Sequence, residues 1–145
     1  MYAEKIRPFS GRLTGNRAGA TAAEFALALP LFTAMIFGIV EYGIVFFVYA
    51  DMQASAVSVA RQVAVNDLGV DAAVAATKAK LPSWVVDAST VTVSQSNAGD
   101  PSSNIISINV QAPVTGATPL ALFTLIAPWT MDVTGSVSQE RLYVD

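Results

Sequence analysis

The chain has 145 residues, a formal charge of -3, a pI near 4.7 and 53 % hydrophobic residues, with neither cysteine nor histidine. The acidic balance gives no footprint for nucleic acid, and the missing thiols and imidazoles remove disulfides, the usual zinc ligands, the usual general base near neutral pH and every Ser-His or Cys-His arrangement. With no Gly-rich phosphate loop and only scattered carboxylates, the sequence offers no catalytic, metal or cofactor-binding residues and no small-molecule substrate site, so a non-enzymatic role is expected.

The charge is unevenly distributed. Up to Gly19 the chain carries Lys5, Arg7, Arg12 and Arg17 against Glu4, a net +3, whereas from Ala20 onward four cations face ten acids, a net -6. A basic segment followed by an apolar run orients a membrane span with its N-terminus in the cytoplasm. Residues 1–19 are accordingly expected to form a basic leader, residues 20–50 a transmembrane helix and residues 51–145 an extracytoplasmic domain.

Residues 25–40 contain no charge, and after Glu41 nine more uncharged residues precede Asp51. As one helix, residues 25–49 would measure about 37 Å, enough for a hydrocarbon core of about 30 Å. A secretory signal peptide fits less well, because its apolar core is shorter and the nearest small tripeptide, Ala54-Ser55-Ala56, lies far from the basic end.

Glu24 stands just before this run, where a carboxylate is costly unless it has a partner or stays at the boundary. If the chain is cut after Gly19, Ala20 becomes the N-terminus and Glu24 its i+4 neighbour on a helix. The new ammonium of the same chain, that of an adjacent subunit, and a simple interfacial position are three readings the residues leave open.

Glu41 lies seventeen residues further on, about 25 Å along a helix and about 260° around it, so the two carboxylates do not share a partner. An interfacial glutamate that snorkels to water is one expectation, and pairing with a cation of another subunit is the other. Ala34 and Gly38 form a small-xxx-small pair, and Gly43 adds a further point where a neighbouring helix can approach. Pro30, lacking an N–H, is expected to kink or loosen the helix.

Beyond the span the helix is expected to continue, with Met52, Ala56, Val59 and Val63 on one stripe and Asp51, Ser55, Ser58 and Gln62 on another. Asn66-Asp67 and Gly69 read as its stop, and Asp71 as the cap of a second, Ala-rich helix ending near Lys78 and Lys80 before Pro82. From Trp84 the pattern changes to period two. Residues 89–95 and 105–112 then read as a hairpin around the turn-rich NAGDPSSN, and residues 130–142 as a third strand. Between Pro119 and Pro128, LALFTLI is too short to cross a bilayer. Core packing against the sheet is its plainer reading, and a patch resting on the membrane or on a partner, anchored by Trp129, the sharper one. The whole is an α+β arrangement: a long N-terminal helix, a second helix and an antiparallel sheet of about three strands.

A basic leader ending in glycine, a glutamate five residues later and a long apolar helix resemble the type IV prepilin signature. The stretch RAGATAAEFALALPLFTAMIFGIVEYGIVFFVYADMQASAVSVAR resembles more specifically the TadE-like minor pilins or pseudopilins of tight-adherence (Tad/Flp) pili, through Gly19, Glu24 with Phe25, Pro30 and Glu41-Tyr42-Gly43. The resemblance implies a pilin-like fold and cleavage between Gly19 and Ala20 by a prepilin peptidase. It further implies a role for Glu24 and Phe25 in processing or assembly, and partial melting near Pro30 on assembly. The implied partners are the membrane, other major and minor pilins and the pilus assembly platform. The implied location is the bacterial inner membrane, crossed once, or the extracellular pilus. Major pilins of such systems are very short and usually carry Tyr where this chain has Phe25, so the 126 residues after Gly19 suit a minor component. An unprocessed, membrane-anchored binding or adaptor module is the alternative.

Overall fold

The computed structural model describes residues 17–140, so most of the basic leader and the last residues of the expected third strand, Arg141 and Leu142, lie outside the described residues. The chain divides into two compact units between Phe37 and Gly38. In the first unit, helix α1 begins; α1 as a whole runs Arg17–Ala64 with Pro30, which has no N–H to donate, inside it. Within this unit every residue of 19–37 is exposed except the half-buried Ala28.

The second unit starts on the same helix at Gly38. Here α1 gains a buried stripe, Glu41, Val45, Val48, Met52, Ala56, Val59 and Val63, at the three- and four-residue spacing of one helical face. The apolar stripe expected from Met52 to Val63 is thus present and continues about two turns further towards the N-terminus of the unit, to Val45, with Glu41 one turn beyond. Of the second expected stripe, Ser55 is buried while Asp51, Ser58 and Gln62 are half-buried.

Asn66 ends the helix. Its φ of 60° is the left-handed conformation that Asn tolerates better than most side chains, and it turns the N–H groups of Asp67 and Leu68 back onto the Gln62 carbonyl at 2.9 and 3.2 Å. Helix α2 follows at Val70–Lys78. It is capped by Gly69 and not by Asp71, because the helix starts two residues earlier than a cap at Asp71 would place it. Asp71 therefore falls inside the first turn, where the helix dipole still favours a carboxylate, and Lys78 occupies the last turn.

Two single-turn helices were not expected: α3 at Ser83–Val86 and α4 at Val114–Ala117. Trp84 sits on α3 and not in an extended segment. Its indole N–H donates to the Ala117 carbonyl at 3.2 Å, tying the two turns together.

The strands are β1 (Thr90–Gln95), β2 (Ile105–Pro113) and β3 (Thr130–Ser138), antiparallel in the order β1-β2-β3. Alternation puts Ile106, Ile108, Val110 and Ala112 of β2 and Met131 and Val133 of β3 into one core with the α1 stripe, and Val91 and Val93 of β1 pack at its edge. The other face is polar: Asp132 accepts from the side-chain amides of Asn109 and Gln111, and Ser107 pairs with Ser136. In the hairpin turn, Asp100 accepts from the Ser102 N–H and from the hydroxyls of Ser102 and Ser103.

Gly135 decides how closely the sheet approaches the helix. A Cβ at this position would stand 2.6 Å from the Val57 nitrogen and 2.7 Å from the Ala56 carbonyl carbon, both backbone atoms of α1. Only glycine permits that approach.

Candidate functional site

In the first unit, Gly19, Ala20, Glu24 and Phe25 occupy the opening turns of α1 and are exposed, as are Pro30 and Ala34. Glu24 is thus placed on a helix and open to whatever surrounds that helix.

The remaining site residues belong to the second unit. Glu41 is fully buried, at 0 % exposure. Its Oε2 accepts the N–H groups of Leu122 and Phe123 at 3.1 and 2.9 Å, and its Oε1 accepts the N–H and the hydroxyl of Thr124 at 3.0 and 2.8 Å. Four donors on two oxygens suit the acceptor-only ionised carboxylate, and hydrogen bonds to a charged group contribute about 1.5–3 kcal/mol each. Successive N–H groups converging from one turn make an anion-binding concavity. Here the anion is a side chain of the same protein.

The loop that supplies these donors is the LALFTLI segment. It is a series of turns and forms neither a core strand nor a helix. Ala121, at φ 46°, holds the left-handed conformation that directs the next three N–H groups to one side. The plainer expectation of core packing is therefore corrected: Thr124 is the buried residue of this segment, while Leu122, Leu125 and Ile126 are exposed, the last at 80 %. Two flanking prolines and a polar target for its N–H groups make the segment a loop despite its strand-like composition.

Neither sequence expectation for Glu41 describes this arrangement, since the carboxylate is shielded from water and is met by amides and a hydroxyl. A signal was present. Val45, Val48, Met52 and Ala56 follow Glu41 at i+4, i+7, i+11 and i+15, which places the carboxylate on the core face.

Gly38 and Gly43 separate in role. A Cβ at Gly38 would lie 3.6 Å from the Phe123 ring, so the smallness of Gly38 accommodates a ring of its own chain. Gly43 has no such neighbour within 4 Å, and with Val40, Ile44, Phe47, Trp84 and Pro119 it lines an apolar groove of about 440 Å³.

Among the described residues no group of His, Cys, Asp or Glu side chains is placed to hold a metal ion. α1 is long and apolar enough to cross a membrane. Taken together, the fold is a long apolar N-terminal helix joined to a small three-stranded α+β unit, a pilin-like arrangement. Residues 19–61 match the family model described as TadE-like protein. The matched segment begins at Gly19, contains every site residue named above on α1 and stops before the sheet. No curated protein and no solved structure matches the chain.

Proposed function

We propose that this protein is a minor pilin or pseudopilin that takes part in assembly of a Tad-type pilus for surface adherence, processed by a prepilin peptidase between Gly19 and Ala20. The observation that carries the reading is the coincidence of the TadE-like match with the leader boundary: it starts at Gly19 and includes Glu24 five residues later. In this reading residues 1–19 are the leader and residues 20–50 provide the membrane helix. Residues 51–145 are extracytoplasmic, the chain crosses the inner membrane once, and the role is structural and not enzymatic. Glu24 and Phe25 act in processing or assembly, and other pilins and the assembly platform are the partners. The open groove at Gly43, where an added Cβ would meet nothing within 4 Å, supports such assembly, because a small residue lets a neighbouring helix approach closely.

The test is the N-terminal mass of the membrane protein from strains with and without the prepilin peptidase. Protein beginning at Ala20 is expected only with the peptidase, and Gly19→Leu is expected to keep the leader. An anchored adaptor would keep the residues before Ala20 in both strains. Cysteine labelling in the turn around Asn97, from outside the inner membrane, checks the orientation.

A further inference from the structure

The loop of residues 119–129 joins three properties that are seldom found together. It is apolar and carries no charge, with Leu122, Leu125, Ile126 and Trp129 all exposed. Six of its nine backbone N–H groups are nevertheless occupied inside the protein, all but those of Ala121, Leu125 and Trp129. The N–H groups of Leu122, Phe123 and Thr124 go to Glu41, those of Ile126 and Ala127 to the Phe123 carbonyl and that of Leu120 to the Thr118 hydroxyl, while Pro119 and Pro128 have none. It is also pinned at a defined height, because Phe123 packs beside Gly38 and Glu41 holds the turn just after the uncharged run of residues 25–40.

Irregular backbone does not enter the hydrocarbon region with its polar groups exposed to lipid, so a loop with most of its N–H groups satisfied inside the protein belongs at the headgroup level, where water reaches the rest. A tryptophan beside aliphatic side chains is the composition that favours the interfacial layer. The uncharged run of residues 25–40 of α1, at 1.5 Å per residue, measures about 24 Å, so the far side of a hydrocarbon core of about 30 Å falls within about one turn of Glu41. If that segment crosses the core, then Gly38 and Glu41 lie at its boundary, and so does the loop attached to them.

We propose that this loop is seated in the lipid of the leaflet on the domain's side, with Leu122, Leu125, Ile126 and Trp129 among the acyl chains and headgroups, and that the Glu41 carboxylate is the device that holds it there. The partner is the bilayer itself. The loop has no charge with which to select an anionic headgroup, so zwitterionic lipid suffices. The inference rests on the reading of α1 as a membrane span.

The chain has no cysteine, so a single introduced one reports its own environment. Full-length protein carrying Ile126→Cys, Leu31→Cys or Ala98→Cys is labelled with a polarity-sensitive fluorophore, reconstituted into phosphatidylcholine vesicles and exposed to lipid-attached or aqueous quenchers. The label at 126 is expected to be quenched from the lipid near the headgroup level and shielded from water, that at 31 from the lipid at greater depth, and that at 98 only from water. Lipid quenching at 31 with aqueous quenching at 126 overturns the loop inference and leaves the span intact. Aqueous quenching at 31 overturns both. Shielding of 126 from both quenchers shows a protein contact and also overturns it. In the Ile126→Cys protein, Glu41→Gln and the milder Thr124→Val are expected to move the label towards water, Glu41→Gln further. An unmoved label in both removes Glu41 as the holding device.

Discussion

The Glu41 carboxylate and Thr124, 83 residues apart, are joined twice: one carboxylate oxygen accepts both the backbone N–H and the side-chain hydroxyl of the threonine. Removing the carboxylate strands three backbone donors, that of Thr124 buried and those of Leu122 and Phe123 partly buried, at up to about 1–3 kcal/mol each. Glu41→Ala is therefore expected to lower thermal stability substantially in detergent and to open residues 119–129 to proteolysis. Thr124→Val, which removes only the hydroxyl, is expected to cost about 1–2 kcal/mol. Equal melting temperatures of Glu41→Ala and the parent protein would show that the carboxylate does not organise the loop.

Gly135 makes the second prediction. A methyl group there meets the backbone of α1 and cannot be relieved by a rotamer change, so Gly135→Ala is expected to cost at least the 1–3 kcal/mol typical of overpacking. Chemical denaturation of the detergent-solubilised protein measures it, and an unchanged midpoint would mean that helix and sheet do not approach this closely.

Gly38 and Gly43 are expected to respond differently to the same substitution. Gly38→Ala is tolerated, since its Cβ reaches only ordinary contact distance from Phe123, whereas Gly38→Leu displaces the ring and destabilises the monomer. At Gly43 a Cβ meets nothing within 4 Å and a leucine projects into the open groove, so Gly43→Leu is expected to leave monomer stability nearly unchanged and to reduce pilus assembly. Thermal melts beside pilus counts in a complemented null strain separate the two effects. Full piliation by a stable Gly43→Leu protein would remove the groove from the assembly surface.

Ala121 adopts a left-handed conformation that costs an L-residue about 1–2 kcal/mol. Ala121→Gly is expected to be neutral or mildly stabilising, because the relief of strain outweighs the added chain entropy of about 0.5–1 kcal/mol. Ala121→Val, branched at Cβ, is expected to destabilise. A melting temperature that falls more for Gly than for Val would contradict the assigned backbone.

Glu24 is exposed on the opening turns of α1. If its charge meets an N-terminal ammonium in the assembled pilus, Glu24→Gln is expected to give a membrane-inserted, correctly oriented protein that does not support piliation. N-terminal mass must be read beside the pilus count, because a processing defect gives the same phenotype. Normal piliation by the Gln variant would reduce Glu24 to a marker of the membrane boundary.

What the sequence determined by itself was local. The uncharged run before Glu41, the three-and-four spacing of Met52, Ala56, Val59 and Val63, the Asn66 stop and the alternation on either side of NAGDPSSN each depend on residues within a few turns of one another, and each produced the expected element. The glycine and glutamate at 19 and 24, read with the apolar helix, likewise gave the family resemblance that the match over residues 19–61 supports. Tertiary structure alone decided the use of LALFTLI. Its composition suits a buried strand, but its N–H groups find a carboxylate more than eighty residues earlier in the chain, and its leucines are left outside. The same holds for Gly38 and Gly135, whose lack of a side chain acquires meaning only from Phe123 and from the α1 backbone. Periodicity records which face a residue occupies. What stands opposite that face is set by the packing of distant segments, and for Glu41 that packing replaced water or a cation with three amides and a hydroxyl.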